Sequence, residues 1–293
     1  MNETLARWIN MYALRSVRRS FNPYTTIEGA QDDALLVSGI FRSGTSITTY
    51  LLTHAGFDAG PEHHLLQAHG KYAKYNPDGF LENYFFMDFS RYLFHITHAA
   101  GDRPPKAEDV AKIKPEDLDD DAFRSYTLLV LRDSRVSNRN KADALKKVSV
   151  HHLRAYLSHA FGKRPVIKNP HFSVLEGFFS KVFPESMRVV VFRRQDDWMR
   201  SAKDVTPHVS LDLYDQYYRD YLDSSSEKFI FFNYDKLLAD PAYSIRKLME
   251  AVKADRYDHD SLVKLVRNPS PEKPPFEKAT EIYHQLVLRA VNL

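Results

Sequence analysis

Four short apolar runs stand out along the chain, at 34–40, 165–168, 187–192 and 228–232. The clearest is MRVVVF at 187–192, a continuous β-branched stretch of the kind a central parallel strand needs on both faces. Between and after these runs the spacing turns helical, at 45–55, 173–183, 196–205 and 240–252. The last of these opens on Asp240-Pro241, an N-cap followed by a first-turn proline, and the paired Asp residues at 196–197 read as a cap for the helix there. Pro184 ends the helix before it. The tail after 258 is helical apart from a Pro-rich break at 268–276. Residues 1–20 read as a basic amphipathic helix and 21–33 as a connector, while 122–161 is mostly helical with a polar break. Residues 58–125 show no regular period and read as an irregular insertion that lines or covers a binding site. Strands that alternate with helices predict one α/β domain over 1–293, in three layers, with a central parallel sheet flanked by helices.

With 41 basic and 38 acidic side chains in 293 residues, bulk charge gives no reason to expect nucleic acid. The absence of cysteine excludes disulfides, zinc–thiolate sites and thiol nucleophiles, and fits a reducing, cytoplasmic setting. No run approaches the ~20 apolar residues of a membrane span. In residues 1–20 the charges follow the apolar positions, unlike a signal peptide, so the segment reads as a surface helix or a peripheral membrane contact.

The chemistry concentrates where the strands end. Gly39 to Gly44 has the G-x-x-x-x-G spacing of a phosphate-binding P-loop between a strand and a helix start, where unpaired backbone N–H groups accept an anion. Thr45 stands where the P-loop lysine belongs, and the basic residue is instead Arg42, inside the loop. Arg193 ends the third strand, with Ser201 eight residues on, so a guanidinium and a hydroxyl can grip a second anion. Lys168-Asn169-Pro170-His171 follows the second strand. In a parallel sheet, all three segments meet beyond the carboxyl ends of the strands. Two anion grips in one crevice point to a ligand with two separated anionic groups.

These segments resemble the sulfotransferases that use 3′-phosphoadenosine 5′-phosphosulfate (PAPS). FRSGTS is similar to their 5′-phosphosulfate loop and FRRQDDWMRS to their 3′-phosphate segment. FFNYDKLLADPAYSIRKLMEAV and YNPDGFLEN are similar to two further family stretches, in family order across about 34–252. The resemblance implies a P-loop-like fold and sulfuryl transfer from PAPS, as co-substrate, to an acceptor hydroxyl, with no metal. It implies that Arg42, Ser43, Gly44, Thr45 and Ser46 hold the 5′-phosphosulfate, that Arg193 and Ser201 hold the 3′-phosphate, and that Arg42 and Lys168 act on the leaving phosphate. It nominates Glu62, twenty residues after Arg42, as the base, with His63, His171 and Glu82 as rivals. The tail has no R-K-G-x-x-G segment, which favours a bacterial, carbohydrate-type branch and a glycan or glycolipid acceptor. A nucleotide-dependent phosphoryl transferase with an altered P-loop, and a non-catalytic nucleotide- or membrane-binding module, stay open as alternatives. His95 and His98 read as surface histidines, and the aromatic positions between 72 and 92 as core.

Overall fold

The computed structural model describes residues 34–66, 68, 79–99, 103–119, 122–123, 126, 157, 161–206, 208–223, 226–267 and 277–292, with the backbone alone for His63. The expected N-terminal helix at 1–20, Tyr72, Tyr75, most of 122–161 and the Pro-rich break at 268–276 lie outside them.

The chain runs β1 (Leu35–Ser38), α1 (Thr45–His54), α2 (Tyr84–Ile96), α3 (Ala107–Lys112), β2 (Val166–Lys168), α4 (Glu176–Val182), β3 (Arg188–Phe192), α5 (Gln195–Ala202) and α6 (Leu211–Asp223). It continues through β4 (Phe229–Asn233), α7 (Tyr234–Ala239), α8 (Pro241–Ala251), α9 (His259–Leu265) and α10 (Glu281–Arg289). The strands pair in parallel in the order β2-β1-β3-β4. All four predicted strands are present.

Strand alternation sorts the side chains into two cores. Leu36, Ile167, Val190, Phe192 and Phe231 face one layer, built from α2, α4, α5, α6 and α10. Leu35, Val37, Val166, Val189, Val191, Ile230 and Phe232 face the other, built mainly from α1, α8 and α9. A sheet buried on both faces must be apolar at every position, which is why its strands read as runs rather than as alternation. This is the expected three-layer α/β architecture. The outer edge of β4 is closed by the C-terminal segment: Val291 N–H donates to the Phe231 carbonyl at 2.9 Å, and Asn292 exchanges two hydrogen bonds with the Asn233 backbone.

Two expectations need correction. The insertion at 58–125 is not irregular throughout, because α2 gives it a 13-residue helix. That helix is densely aromatic, and its inner face buries Phe85, Phe86, Phe89 and Tyr92 against Phe123, Phe172, Phe178 and Phe179. The cap of α5 is Arg194, without a side-chain cap bond, and not an aspartate. Asp196 instead binds the Arg194 side chain.

Asn169 ties α2 to the sheet. Its Oδ1 accepts from His171 N–H at 2.9 Å, capping the short turn Pro170–Val174, while its Nδ2 donates to the Phe86 carbonyl at 3.0 Å and Ser90 Oγ at 2.8 Å. Removing the amide takes these partners from the His171 N–H and the buried Ser90 hydroxyl, at about 1–3 kcal/mol per group left unpaired. Asn169→Ala is therefore expected to lower the unfolding free energy by about 2–4 kcal/mol in urea titration. No change in the midpoint would show that these bonds contribute nothing net.

Candidate anion-binding site

In a sheet ordered 2-1-3-4, the chain leaves β1 toward β2 and returns on the other side of β1 to form β3. The switch point lies between β1 and β3, where loops diverge and leave a crevice at the carboxyl ends. The Gly39–Gly44 loop leaves β1 there, and Arg193 leaves β3 there.

The loop is bent into left-handed backbone at Gly39 (φ 135°), Arg42 (φ 68°) and Gly44 (φ 99°). Glycine is required at two of these positions for lack of room: a Cβ on Gly39 would sit 2.0 Å from the Val191 carbonyl oxygen, and one on Gly44 2.3 Å from the Tyr234 ring. Arg42 tolerates the same backbone region at a cost of about 1 kcal/mol or more, a strain of the kind held at functional sites. The first turn of α1 has no side-chain cap bond and no acidic residue, so its N–H groups face the crevice uncompensated.

Three phenols of α6 hold this end of the sheet together. Tyr218 Oη accepts from Ile40 N–H at 3.2 Å and donates to the Val191 carbonyl at 2.9 Å, joining the loop to β3. Tyr221 Oη shares a 2.9 Å hydrogen bond with Ser38 Oγ, and Tyr214 Oη donates to the Arg193 carbonyl at 2.8 Å. Burial pushes the pKa values of all three well up, so they remain protonated donors. Trp198 Nε1 adds a 2.9 Å bond to the Phe41 carbonyl.

The structure brings most of the predicted residues to this one end. Arg42 Nε donates to Ser201 Oγ at 3.1 Å, so Ser201 meets the loop arginine directly. Lys168 Nζ donates to Ser46 Oγ at 3.0 Å, the Phe80 carbonyl at 2.8 Å and Glu82 Oε1 at 2.8 Å. Arg193 lies 5.3 Å from the Tyr234 ring and 3.9 Å from Asp235. The adjacent Arg194 is neutralised locally by Asp196 and Asp197, which separates the two arginines that the sequence leaves equivalent. Among the described residues five buried polar side-chain atoms lack a well-formed hydrogen bond, and two of them, Ser43 Oγ beside the Tyr218 phenol and Arg193 Nε at 3.9 Å from Asp235, lie at this end. The Tyr218 phenol beside Ser43 already bonds Ile40 and Val191. One of the two atoms lies in each predicted anion grip.

The candidate bases separate. Glu62 is exposed on the short turn Glu62–His64. Glu82 touches Lys168. Burial, aided by Arg91 and opposed by Glu82, pushes the His171 pKa down to about 4, and its Nδ1 lies 3.4 Å from Tyr217 Oη. Such an imidazole is neutral at pH 7 and a weak proton acceptor. Phe41, Tyr217, His171 and Phe94 make an aromatic wall beside these groups, with successive ring contacts including 6.4 Å for Phe41–Tyr217 and 4.6 Å for Phe94–His171.

The residues that sequence reasoning missed are Tyr218, Tyr214, Tyr221, Trp198 and Tyr234. A signal existed in LDLYDQYYRDYLD, where tyrosines at 214, 217, 218 and 221 share one helical face. It marked a buried stripe but not which backbone groups the hydroxyls would reach. A separate cavity of about 480 Å³ lies at the opposite end of β3, lined by Glu176, Arg188, Asp220 and Lys228 among others, and shares no side chain with the loop.

No family model matches the chain, and no curated protein matches it in sequence. In structure it is similar to sulfotransferase STF1 of Mycobacterium tuberculosis H37Rv, at 15% identity over 88% of this chain and 76% of that one, with a TM-score of 0.38. It is similar also to sulfotransferase STF9 of Mycobacterium avium, at 16% identity over 80% and 68% of the two chains, with a TM-score of 0.38.

Tyr218→Phe removes one donor and one acceptor from the loop anchor. It is expected to weaken inorganic phosphate binding about 3- to 10-fold by calorimetry, the equivalent of about 1 kcal/mol; unchanged affinity would show that the loop holds its shape without the phenol. His171 has its own signature. Its folded-state pKa is lowered from 6.5 to about 4, so below pH 6.5 the unfolded chain takes up a proton that the fold refuses. Stability is lost as pH falls across that window, and His171→Gln is expected to lose less between pH 7 and 5 in thermal melts. Parallel losses in both proteins would refute the assignment.

Proposed function

We propose that the chain is a sulfotransferase that moves a sulfuryl group from PAPS to an acceptor hydroxyl, on a carbohydrate or glycolipid. The observation that carries this reading is that Arg42, Lys168 and Arg193 gather at one sheet end around the start of α1, with Ser43 Oγ and Arg193 Nε buried there and short of well-formed hydrogen bonds among the described residues. A nucleotide with an anionic group at each end of its ribose supplies a partner for both. The fit extends to the surroundings: uncapped helix N–H groups and Ser43, Thr45 and Ser46 suit the 5′ group, and Arg193 with Ser201 suits the 3′-phosphate.

When bound, PAPS supplies an activated sulfuryl group on a phosphate leaving group. Charge then builds on the bridging oxygen, and Arg42 with Lys168 are the cations available to stabilise it. That role needs no metal ion. Glu62 is the carboxylate that the spacing selects to take the acceptor proton, with His63 beside it. Thr45 in place of the P-loop lysine argues against the phosphoryl-transfer alternative.

Calorimetry with 3′-phosphoadenosine 5′-phosphate (PAP) tests the reading. PAP is expected to bind equally with magnesium or with EDTA, and Arg193→Ala to weaken it about 10- to 100-fold, the loss of one charge-assisted contact. Binding of ATP that depends strictly on magnesium, with none of PAP, would defeat the proposal. Glu62→Gln is expected to leave PAP affinity intact and to cut sulfate transfer by about two to four orders of magnitude. Undiminished turnover would remove Glu62 from the mechanism.

A further inference from the structure

Lys168 is 2% exposed, and its ammonium has three donors. All three are engaged, by Ser46 Oγ, the Phe80 carbonyl and Glu82 Oε1. A phosphate oxygen arriving at the first turn of α1 can gain Lys168 only if one of these partners lets go. Phe80 cannot move away easily. Its N–H donates to the Leu66 carbonyl at 2.9 Å, and Leu66 N–H donates to the Glu82 carbonyl at 2.8 Å, so the strip is laced into a ladder against β2. Ser46 lies on the turn that receives the anion, and its hydroxyl can be shared. The Glu82 side chain is the partner with an exit that carries a competing charge, since it is 15% exposed where Lys168 is 2%.

We infer that Glu82 is a latch on Lys168: it holds the ammonium in the empty site and is displaced when a tetrahedral anion binds the loop. Lys168 exchanges one anionic oxygen for another, so the buried cation is never left alone, which would be the costly outcome. Glu82 turns toward water. Were it to stay, its carboxylate would oppose the incoming phosphate across the shared ammonium. The backbone is bent to deliver this contact: Leu81, just before Glu82, is held at φ 56° and Gly79 at φ 84°. Left-handed leucine is retained only where the surroundings over-determine it. Glu82 is thus a positioning residue that couples anion arrival to the release of a carboxylate from Lys168. The identity of that anion as PAPS rests on the proposed function, but the exchange applies to any tetrahedral anion at the loop.

The test is a double-mutant cycle on Glu82→Gln and Lys168→Met, with two probes, PAP and inorganic phosphate. Glu82→Gln keeps a carbonyl for Lys168 and removes the competing charge. It is expected to tighten both probes about 3- to 10-fold in calorimetry, and to shift them less than about 2-fold when Lys168 is already Met. A residue with a merely structural role would loosen binding when changed. Affinity that is unchanged or weaker in Glu82→Gln, or equal tightening in the Lys168→Met background, overturns the latch. Glu82→Met, which removes the acceptor altogether, is expected to tighten phosphate in the same direction and provides a second reading if Glu82→Gln melts early. Wild-type protein that binds phosphate but not PAP, with the cycle as expected, would leave the latch standing and overturn the PAPS assignment.

Discussion

The anion site depends on hydrogen bonds from one helix to the carboxyl ends of two strands. Tyr214, Tyr218 and Tyr221 of α6 reach the Arg193 carbonyl, the Ile40 N–H with the Val191 carbonyl, and Ser38. Parallel strands that end side by side send their loops in different directions, and each loop leaves backbone groups without a ladder partner. The phenols supply those partners from a rigid, apolar stem. They tie the turn carrying Arg42 and the strand end carrying Arg193 to a common support, so the spacing between the two grips is set by a helix rather than by flexible loops. Their hydroxyls stay protonated because burial disfavours the phenolate.

Electrostatics then decides what that support is for. Arg42, Lys168 and Arg193 gather at one sheet end, with the uncapped start of α1 between them. Part of this positive charge is answered within the fold, by Glu82 at Lys168 and at longer range by Asp235 at Arg193. Those answers are incomplete. Among the described residues, Arg193 Nε and Ser43 Oγ are buried with only distant or poorly aligned partners, which leaves each with hydrogen-bonding capacity to spare.

The sheet was legible in the sequence because strands buried on both faces must be continuous apolar runs, and the tight turn after β1 because its glycines mark places where a Cβ has no room, as at Gly39 against Val191 and Gly44 against Tyr234. Helix α2 was legible but missed: Phe85, Phe86, Phe89 and Tyr92 repeat at helical spacing, and the Pro- and Gly-containing segments around it masked that period. Arg193 was chosen from its place at the strand end and from the family resemblance, whereas the local neutralisation of Arg194 by Asp196 and Asp197 was not readable from chain order. The contact of Glu82 with Lys168 was equally hidden, since it spans 86 positions of chain. Glu62 was nominated by resemblance to the family's base position, which measures chain length rather than proximity.

The left-handed backbone at Arg42 sets stability against recognition at a single position. Glycine there would relax the turn and remove the guanidinium that meets Ser201. Any lineage or library ranked on heat resistance alone would drift toward that glycine and arrive at a sturdier protein with a blunted grip on its anion. Persistence of arginine among related chains would therefore record selection on the ligand, independent of selection on the fold.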